Sequence, residues 1–564
     1  MKRSSFFYAL AAGVVVLLLI SAGGFYWLTN RSPLNLLGGG ETATPEAAMF
    51  VPSQAPAMVS LLVNPDRLDG FEKIVASLGE GKRSRLDLDE LKQNLLANTG
   101  VDYQRDIQPW LGDEITLAVT TLDFDREAQN GKQPGYLLAA TTKDPEKSKE
   151  FVQLFWQKQS ELETDLVFEQ YQGVKLIYKN QTSEKKKSVA SAVVGDRFVL
   201  FANDPKVLRD AINNVQAPTL SLSNSSSYQL ALQSITQPRI ALSFVNLPAL
   251  TERIGNNSAS LAPKGYESLA IALSLNNQGI LAETALLGGS NEKITATTPT
   301  LSQPVAALQY IPQTSGFVAA STNLNQLWDR LQPALSGDNT LSQFLNQSIA
   351  SLQDRWGIQL PADIFSWVEG EYALALLPRP DRNYPDWIFV AEKSDKAESG
   401  IEHLDAVAKQ RGFSIGSLPL EDRDISAWTK LTTATATKEG KQNGPVVLNA
   451  QVQGVHATAG KYEIFTTSIE AMDRALKASS DPLVVSGNFK DAIAPFTTPN
   501  NGYLYVDWAA SQSLLERQVP ILPFVELVGK PLFDNLRSLS LTSQGASDGV
   551  QRSQIFFRLG KNKD

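Results

Sequence analysis

The chain has no cysteine and only two histidines among its 564 residues. Without cysteine there is no disulfide, no lipid-modified N-terminal cysteine and no metal site of the Cys/His type. An exported chain lacking cysteine is ordinary in bacteria and unusual for a secreted eukaryotic protein of this size. The two histidines fall in different expected elements: His403 in the helical stretch Glu402-His403-Leu404-Asp405, His456 in the strand-like Val455-His456-Ala457. Each reads as a surface or satisfied core residue, not a ligand. An excess of basic charge is missing too. The net charge is −8, so the electrostatic footprint of a nucleic-acid surface is absent. No glycine-rich loop follows an expected strand, which removes the known nucleotide fingerprints.

Three short motifs come close to known chemistry, and each reads better as structure. Gly412-Phe413-Ser414-Ile415-Gly416 fits G-x-S-x-G, with Asp422, Asp424 and His456 following in the order of a hydrolase triad. A nucleophile elbow needs a strand before the serine and a helix after it. Here Lys396–Arg411 reads as a helix and Ser414–Leu420 as an exit loop or strand. Asp123-Phe124-Asp125-Arg126-Glu127 resembles the start of a calcium loop, but Ala128 and Pro134 stand where that loop needs Gly and Glu. A solvated hairpin tip is the reading there. Lys185-Lys186-Lys187 and Lys438-Glu439-Gly440-Lys441 mark two basic tips, read as solvated loops, with contact to anionic lipid headgroups as the alternative. No catalytic, cofactor-binding or metal-ligating residue is assigned, and no cofactor is expected.

What the chain does have is one long apolar run. Ser4 to Asn30 carries no charge, and Phe6–Leu28 is long enough to cross a bilayer as a helix. Phe25-Tyr26-Trp27 stands where an interfacial aromatic belt belongs. Lys2 and Arg3 precede the run and Arg31 alone follows closely, which puts the N-terminus in the cytoplasm. Residues 1–30 are therefore expected to form a cytoplasmic tip and signal anchor. The alternative is a cleaved signal peptide, with Ser21-Ala22-Gly23-Gly24 offering small residues for cleavage. Residues 31–47, centred on Gly38-Gly39-Gly40, read as a flexible stalk.

The rest of the chain repeats itself. TGVDYQRDIQPWLGDEITLAV at 99–119 aligns with WGIQLPADIFSWVEGEYALAL at 356–376, placing Gly100 on Gly357, Asp106 on Asp363, Trp110 on Trp367 and Glu114 on Glu371. Further matches keep the same order: Phe50-Val51-Pro52 with Tyr310-Ile311-Pro312, Tyr136–Ala140 with Trp387–Ala391, Ser243–Asn246 with Leu504–Asp507. The period is far too long for a solenoid. The expectation is two tandem homologous units, 48–287 and 305–560, joined by a linker at 288–304 and followed by a tail at 561–564. Within each, hairpins such as Glu114–Leu122 with Gly135–Thr142, and helices such as Asp144–Leu162, argue for α+β: a mainly antiparallel sheet with packed helices. Val174–Tyr178 and Ser188–Ala202 read as strands, and Asp204-Pro205 opens a helix. Asp-Ile-x-x-Trp in both copies reads as a cap before a short helix, with the Trp as core anchor.

The anchor, the stalk and the phrases Phe50-Val51-Pro52, Leu62-Val63-Asn64-Pro65 and Trp110-Leu111-Gly112-Asp113-Glu114 together resemble a cyanobacterial family of single-pass membrane proteins classed only as a domain of unknown function. The resemblance covers the chain after the stalk and brings no catalytic residue with it. It implies an ectodomain in the periplasm or thylakoid lumen. The expected function is a membrane-tethered, non-enzymatic accessory or binding protein, held by residues 6–28 and docking a protein partner. A carrier of a lipid or other apolar ligand, and an enzyme of unrecognised type, are the alternatives.

Overall fold

The computed structural model describes residues 43–64, 101–127, 131–160, 166–179, 189–249, 266–276, 278–289, 296–328, 350, 353, 358–379, 384–435, 446–518 and 530–560. The expected span at 6–28 and the two lysine-bearing tips lie outside the described residues. Among the described residues no helix is long and apolar enough to cross a membrane.

Among the described residues twenty strands form one antiparallel sheet. In the first half of the chain they are β1 (Ala57–Leu61), β2 (Leu111–Thr121), β3 (Gly135–Thr142), β4 (Leu166–Tyr171), β5 (Val174–Lys179), β6 (Ala190–Val194), β7 (Phe198–Ala202), β8 (Ala241–Asn246), β9 (Tyr266–Asn276) and β10 (Gly279–Gly288). The second half supplies β11 (Phe317–Thr322), β12 (Glu371–Leu377), β13 (Asp386–Glu392), β14 (Ser414–Leu420), β15 (Arg423–Thr435), β16 (Val446–Ala459), β17 (Tyr462–Thr466), β18 (Tyr503–Asp507), β19 (Leu536–Ser547) and β20 (Val550–Leu559). The pairings run β4-β5-β6-β7-β3-β2-β1-β8-β9-β10 and continue without a break into β20-β19-β18-β11-β12-β13-β17-β16-β15-β14.

This overturns the expectation of two tandem units, each with its own sheet. β10 and β20 pair continuously from Gly279↔Arg558 to Leu287↔Val550, so the repeated segments take mirrored places in one sheet. The cores are shared as well. Val550 packs with first-half residues, and Val59 and Leu61 cluster with Trp508, Leu532 and Leu559. The physical reason is the edge. Two separate units would each leave a long apolar strand with a row of unpaired N–H and C=O groups, and pairing those strands satisfies both rows.

Alternation along the strands sends side chains to two faces. On β3, Leu137 and Ala139 face one cluster while Ala140 faces another. Helices cover both faces: α1 (Pro145–Ser160), α2 (Pro205–Gln216), α3 (Ser226–Ser234), α4 (Asp395–Gln410), α5 (Ile469–Lys477), α6 (Gly487–Ile493), α7 (Trp508–Gln518) and α8 (Lys530–Asn535). On one face lie α2 and α3 through Leu208, Ile212 and Tyr228, with α5 and α6 through Met472 and Phe489. On the other lie α1 through Phe151 and Trp156, and α4 through Leu404 and Ala408. Asp204 caps α2 by accepting from the Lys206 N–H at 2.8 Å, with Pro205 in the first turn. The stretch Ser188–Ala202, expected as one strand, is two. Gly195 turns it at φ +57°, as Gly460 does at +61° between β16 and β17, a conformation that costs glycine nothing.

Candidate functional site

The repeated Trp and Glu organise the same place in each half. Before β2, Tyr103–Ile107 makes a wide helical turn, closed by Gln108 N–H to Tyr103 O at 2.8 Å. The Asp106 side chain does not cap from outside, as expected. It sits inside the turn and accepts from the Asp102 N–H at 3.0 Å, four residues back, as Asp363 accepts from Gln359 at 2.6 Å. The backbone oxygens of Asp106 and Asp363 accept from the indole N–H of Trp110 and Trp367 at 2.9 and 2.7 Å. Both indoles are buried. The Arg105 guanidinium beside Asp106 holds that carboxyl well below the usual range.

Glu114 is a buried carboxylate that accepts three hydrogen bonds: Glu46 N–H at 2.8 Å, Ala47 N–H at 2.9 Å and Thr116 O–H at 2.8 Å. Thr116 also meets Ser60 at 2.7 Å. Glu114 thus ties the first turn of the chain's first described helical segment, Glu46–Phe50, to the sheet. Burial pushes its pKa up from the usual value. Glu371 makes the corresponding tie. It accepts from the Ala307 N–H at 3.2 Å and the Tyr462 hydroxyl at 2.5 Å.

Around Glu114 the two halves differ. A polar cleft of about 390 Å³ opens here, lined by Thr44, Glu46, Leu62, Gly112, Asp113, Thr141, Thr142, Lys143 and Arg197. Arg197 pairs with Glu46 at its mouth. At the matching place in the second half, Glu392 stands where Thr141 stands in the first. It accepts from the Glu371 N–H at 3.0 Å, as Thr141 Oγ1 accepts from the Glu114 N–H at 2.9 Å, and it also accepts from Lys461 at 2.8 Å; these bonds hold the Glu392 pKa down. Both corners are tight. A Cβ on Gly112 would lie 2.5 Å from Thr141 Oγ1, and one on Gly370 would lie 2.6 Å from Glu392 Oε2. Lys143, Asp113 and Arg197 were not singled out from sequence. The exchange of Thr141 for Glu392 in otherwise matching strands was the available signal.

The structure gathers both histidines around α4. His456 Nε2 lies 3.2 Å from Asp405 Oδ1, which also accepts from the Trp428 indole at 2.7 Å, and the imidazole stacks on Phe465. His403 Nε2 lies 3.1 Å from Asp363 Oδ1. Matching His456 in the first half is Ser191, whose hydroxyl accepts from the Trp156 indole on α1 at 2.6 Å. In each half a polar contact thus ties a helix to the same point of the sheet. The Ser414 motif does not form an elbow. Its order is helix, turn at Gly412 (φ +84°), then strand, and Ser414 lies opposite Thr429 while His456 lies opposite Ser426. Asp123–Glu127 is part of the β2–β3 connection, with Phe124 N–H bonded to Gln133 O at 2.8 Å. No group of three or more His, Cys, Asp or Glu suited to a metal occurs among the described residues.

A wide antiparallel sheet with helices on both faces and a charged cleft beside a capping carboxylate defines the architecture. The chain belongs to the family described as protein of unknown function (DUF3352), which matches residues 10–559. No curated protein matches it in sequence. Among solved structures, crystal form I of TP0453 is 11% identical, aligns 45% of this chain with 83% of that one, and gives a TM-score of 0.23. Crystal form III is 12% identical over 45% and 84%, at 0.21. Crystal form IV is 12% identical over 44% and 83%, at 0.22. Similarity at this level supports no argument about fold or function.

Proposed function

We propose that this is a membrane-tethered binding protein that holds a polar segment of a protein partner in the cleft beside Arg197. The tether is the uncharged run Ser4–Asn30, with the N-terminus in the cytoplasm and the sheet in the periplasm or thylakoid lumen. The observation that carries the reading is the cleft itself. Its volume is in the range of ligand sites, its lining has charges of both signs, and the matching place in the other half has the carboxylate Glu392 in place of Thr141. The carrier reading draws less support. Among the described residues, one apolar cavity, lined by Ile358, Trp428, Val455 and Phe465, has about 10 Å³, room for a water molecule and not for a lipid chain.

The test is native mass spectrometry of full-length protein extracted gently from its own membrane, beside the double variant K143E/R197E. Protein-scale added mass that disappears in the variant supports the proposal. Added mass of several hundred daltons would favour a carried small molecule. The bare chain mass in both samples would end the binding reading.

A further inference from the structure

Among the described residues β4 pairs only with β5, and β14 only with β15, so these two strands are the edges of the sheet. They hold matching places at its two ends. Each follows a 16-residue helix, α1 or α4, and ends at a two-residue loop, Gln172-Gly173 after β4 and Glu421-Asp422 after β14. Tyr171 therefore corresponds to Leu420, Gln170 to Pro419 and Phe168 to Ser417.

In a two-residue hairpin the residues flanking the loop bond to each other, and the bonding then alternates along the strand. Tyr171, Glu169 and Val167 use their N–H and C=O groups on β5, while Leu166, Phe168 and Gln170 turn theirs outward. On β14 the same alternation turns Ile415, Ser417 and Pro419 outward. Proline has no N–H to offer, so the β14 edge is blunted on the side that faces away from the sheet. The β4 edge carries no such block.

The side chains differ in the same direction. Phe168 is 61% exposed, more than any other large apolar side chain among the described residues, and β14 has Ser417 in its place. Lys175 Nζ lies 5.1 Å from the centre of the Phe168 ring. Ile177, opposite Phe168 on β5, is buried with Phe151 and Trp156 of α1. Opposite residues share a face, so Phe168 carries that apolar row past the last strand.

We propose that β4 is a dimer edge, pairing antiparallel with β4 of a second copy about a two-fold axis through Phe168 and continuing the sheet across both copies. A two-fold perpendicular to the sheet keeps each side chain on its own face, so the numbers of paired residues must sum to an even value. Two registers then overlap most. One is centred on Glu169 and sets that carboxylate against its own copy; like charges directly opposite are unfavourable. The other is centred on Phe168. It sets ring beside ring, Leu166 opposite Gln170 and Val167 opposite Glu169. Lys175 and Lys179 stay one strand back from the junction. The outward N–H and C=O groups of Leu166, Phe168 and Gln170 meet those of Gln170, Phe168 and Leu166 in the second copy. This self-complementarity selects a second copy over an unlike strand. The surface is separate from the Arg197 cleft and does not rest on the binding reading.

The experiment follows the mass of the full-length protein in detergent by sedimentation over a range of concentrations. A concentration-dependent dimer is expected. F168S gives this edge the residue of the other and should raise the dissociation constant roughly a hundredfold. Q170P copies the proline of β14 and should leave only monomer. The chain has no cysteine, so L166C/Q170C introduces its only thiols. Across the junction these positions stand about 5.5 Å apart between Cα atoms, and oxidation should link two copies. L166C or Q170C alone should not cross-link, because like positions lie about 14 Å apart. A monomer at every concentration, a dimer equally strong in F168S and Q170P, or equal cross-linking in the single variants would each overturn the proposal. If Q170P does not fold, F168S and the cysteine pair decide it.

Discussion

Replacing Glu114 with Ala removes the acceptor of two backbone N–H groups, the buried one of Ala47 and the part-buried one of Glu46. The third donor, Thr116, keeps Ser60 as a partner at 2.7 Å, so its loss is small. Orphaning a buried N–H costs about 1–3 kcal/mol. One buried and one part-buried group, offset by relief from burying a carboxylate, make E114A less stable by roughly 1–3 kcal/mol. The loss should be local first. Amide hydrogen exchange, read by mass spectrometry on peptides spanning Glu46–Phe50, should accelerate while β9 and β10 stay protected. The pH dependence has a definite sign. Burial raises Glu114 above its usual 4.5 in the folded protein. That contribution is fully present below the unfolded value and is lost as pH rises through the folded one. The deficit of E114A relative to wild type should therefore shrink as pH rises above the usual 4.5. Unchanged exchange at Glu46–Phe50, or a deficit that widens with pH, would refute the assignment of Glu114 as the tie between this turn and the sheet.

Asp106 titrates in the opposite sense. Its folded-state pKa is depressed, chiefly by Arg105, so its contribution is present above the unfolded value near 3.8 and is lost as pH falls. D106N should flatten the acid limb of a melting-temperature profile, and an acid limb identical to wild type would count against the pairing. S191A leaves the buried Trp156 indole N–H without its acceptor and should destabilise by about 1–3 kcal/mol, measured by denaturant unfolding. G279A places a Cβ 2.0 Å from Phe557 O at the start of the β10–β20 pairing. It should speed exchange in β10 and β20 together, and protection lost in β10 alone would argue against a continuous sheet.

Much of the local structure could be read from the chain, because local structure follows local pattern. The hairpin of β2 and β3, the helix after Asp144 and the proline-opened helix after Asp204 lie where alternation, turn residues and caps placed them. Trp110 and Trp367 stood out because they occur twice, and both are buried anchors. What could not be read is what depends on distance. Glu114 finds its donors at separations of 68 and 67 residues, and no spacing rule announces that. The pairing of β10 with β20 is a choice among apolar edges, and alternation is the same whichever partner is chosen. Gly195-Asp196 was a readable turn signal inside the stretch taken as one strand.

The junction between β10 and β20 sets a condition on how the chain comes to exist. Glu283 and Gln554 face one another across 271 residues of sequence. A ribosome that has finished β10 must make every later strand before that edge is covered. Throughout synthesis the nascent chain carries an open apolar strand, the kind of edge that recruits other chains. Contacts this far apart in sequence are also the slowest to form. Removing Val550–Leu559 would recreate the exposed state permanently, baring β10 and β19 at once. The final strand thus acts as the closing staple of the fold, and the interval before it is made is the period in which the protein is most exposed to misassembly.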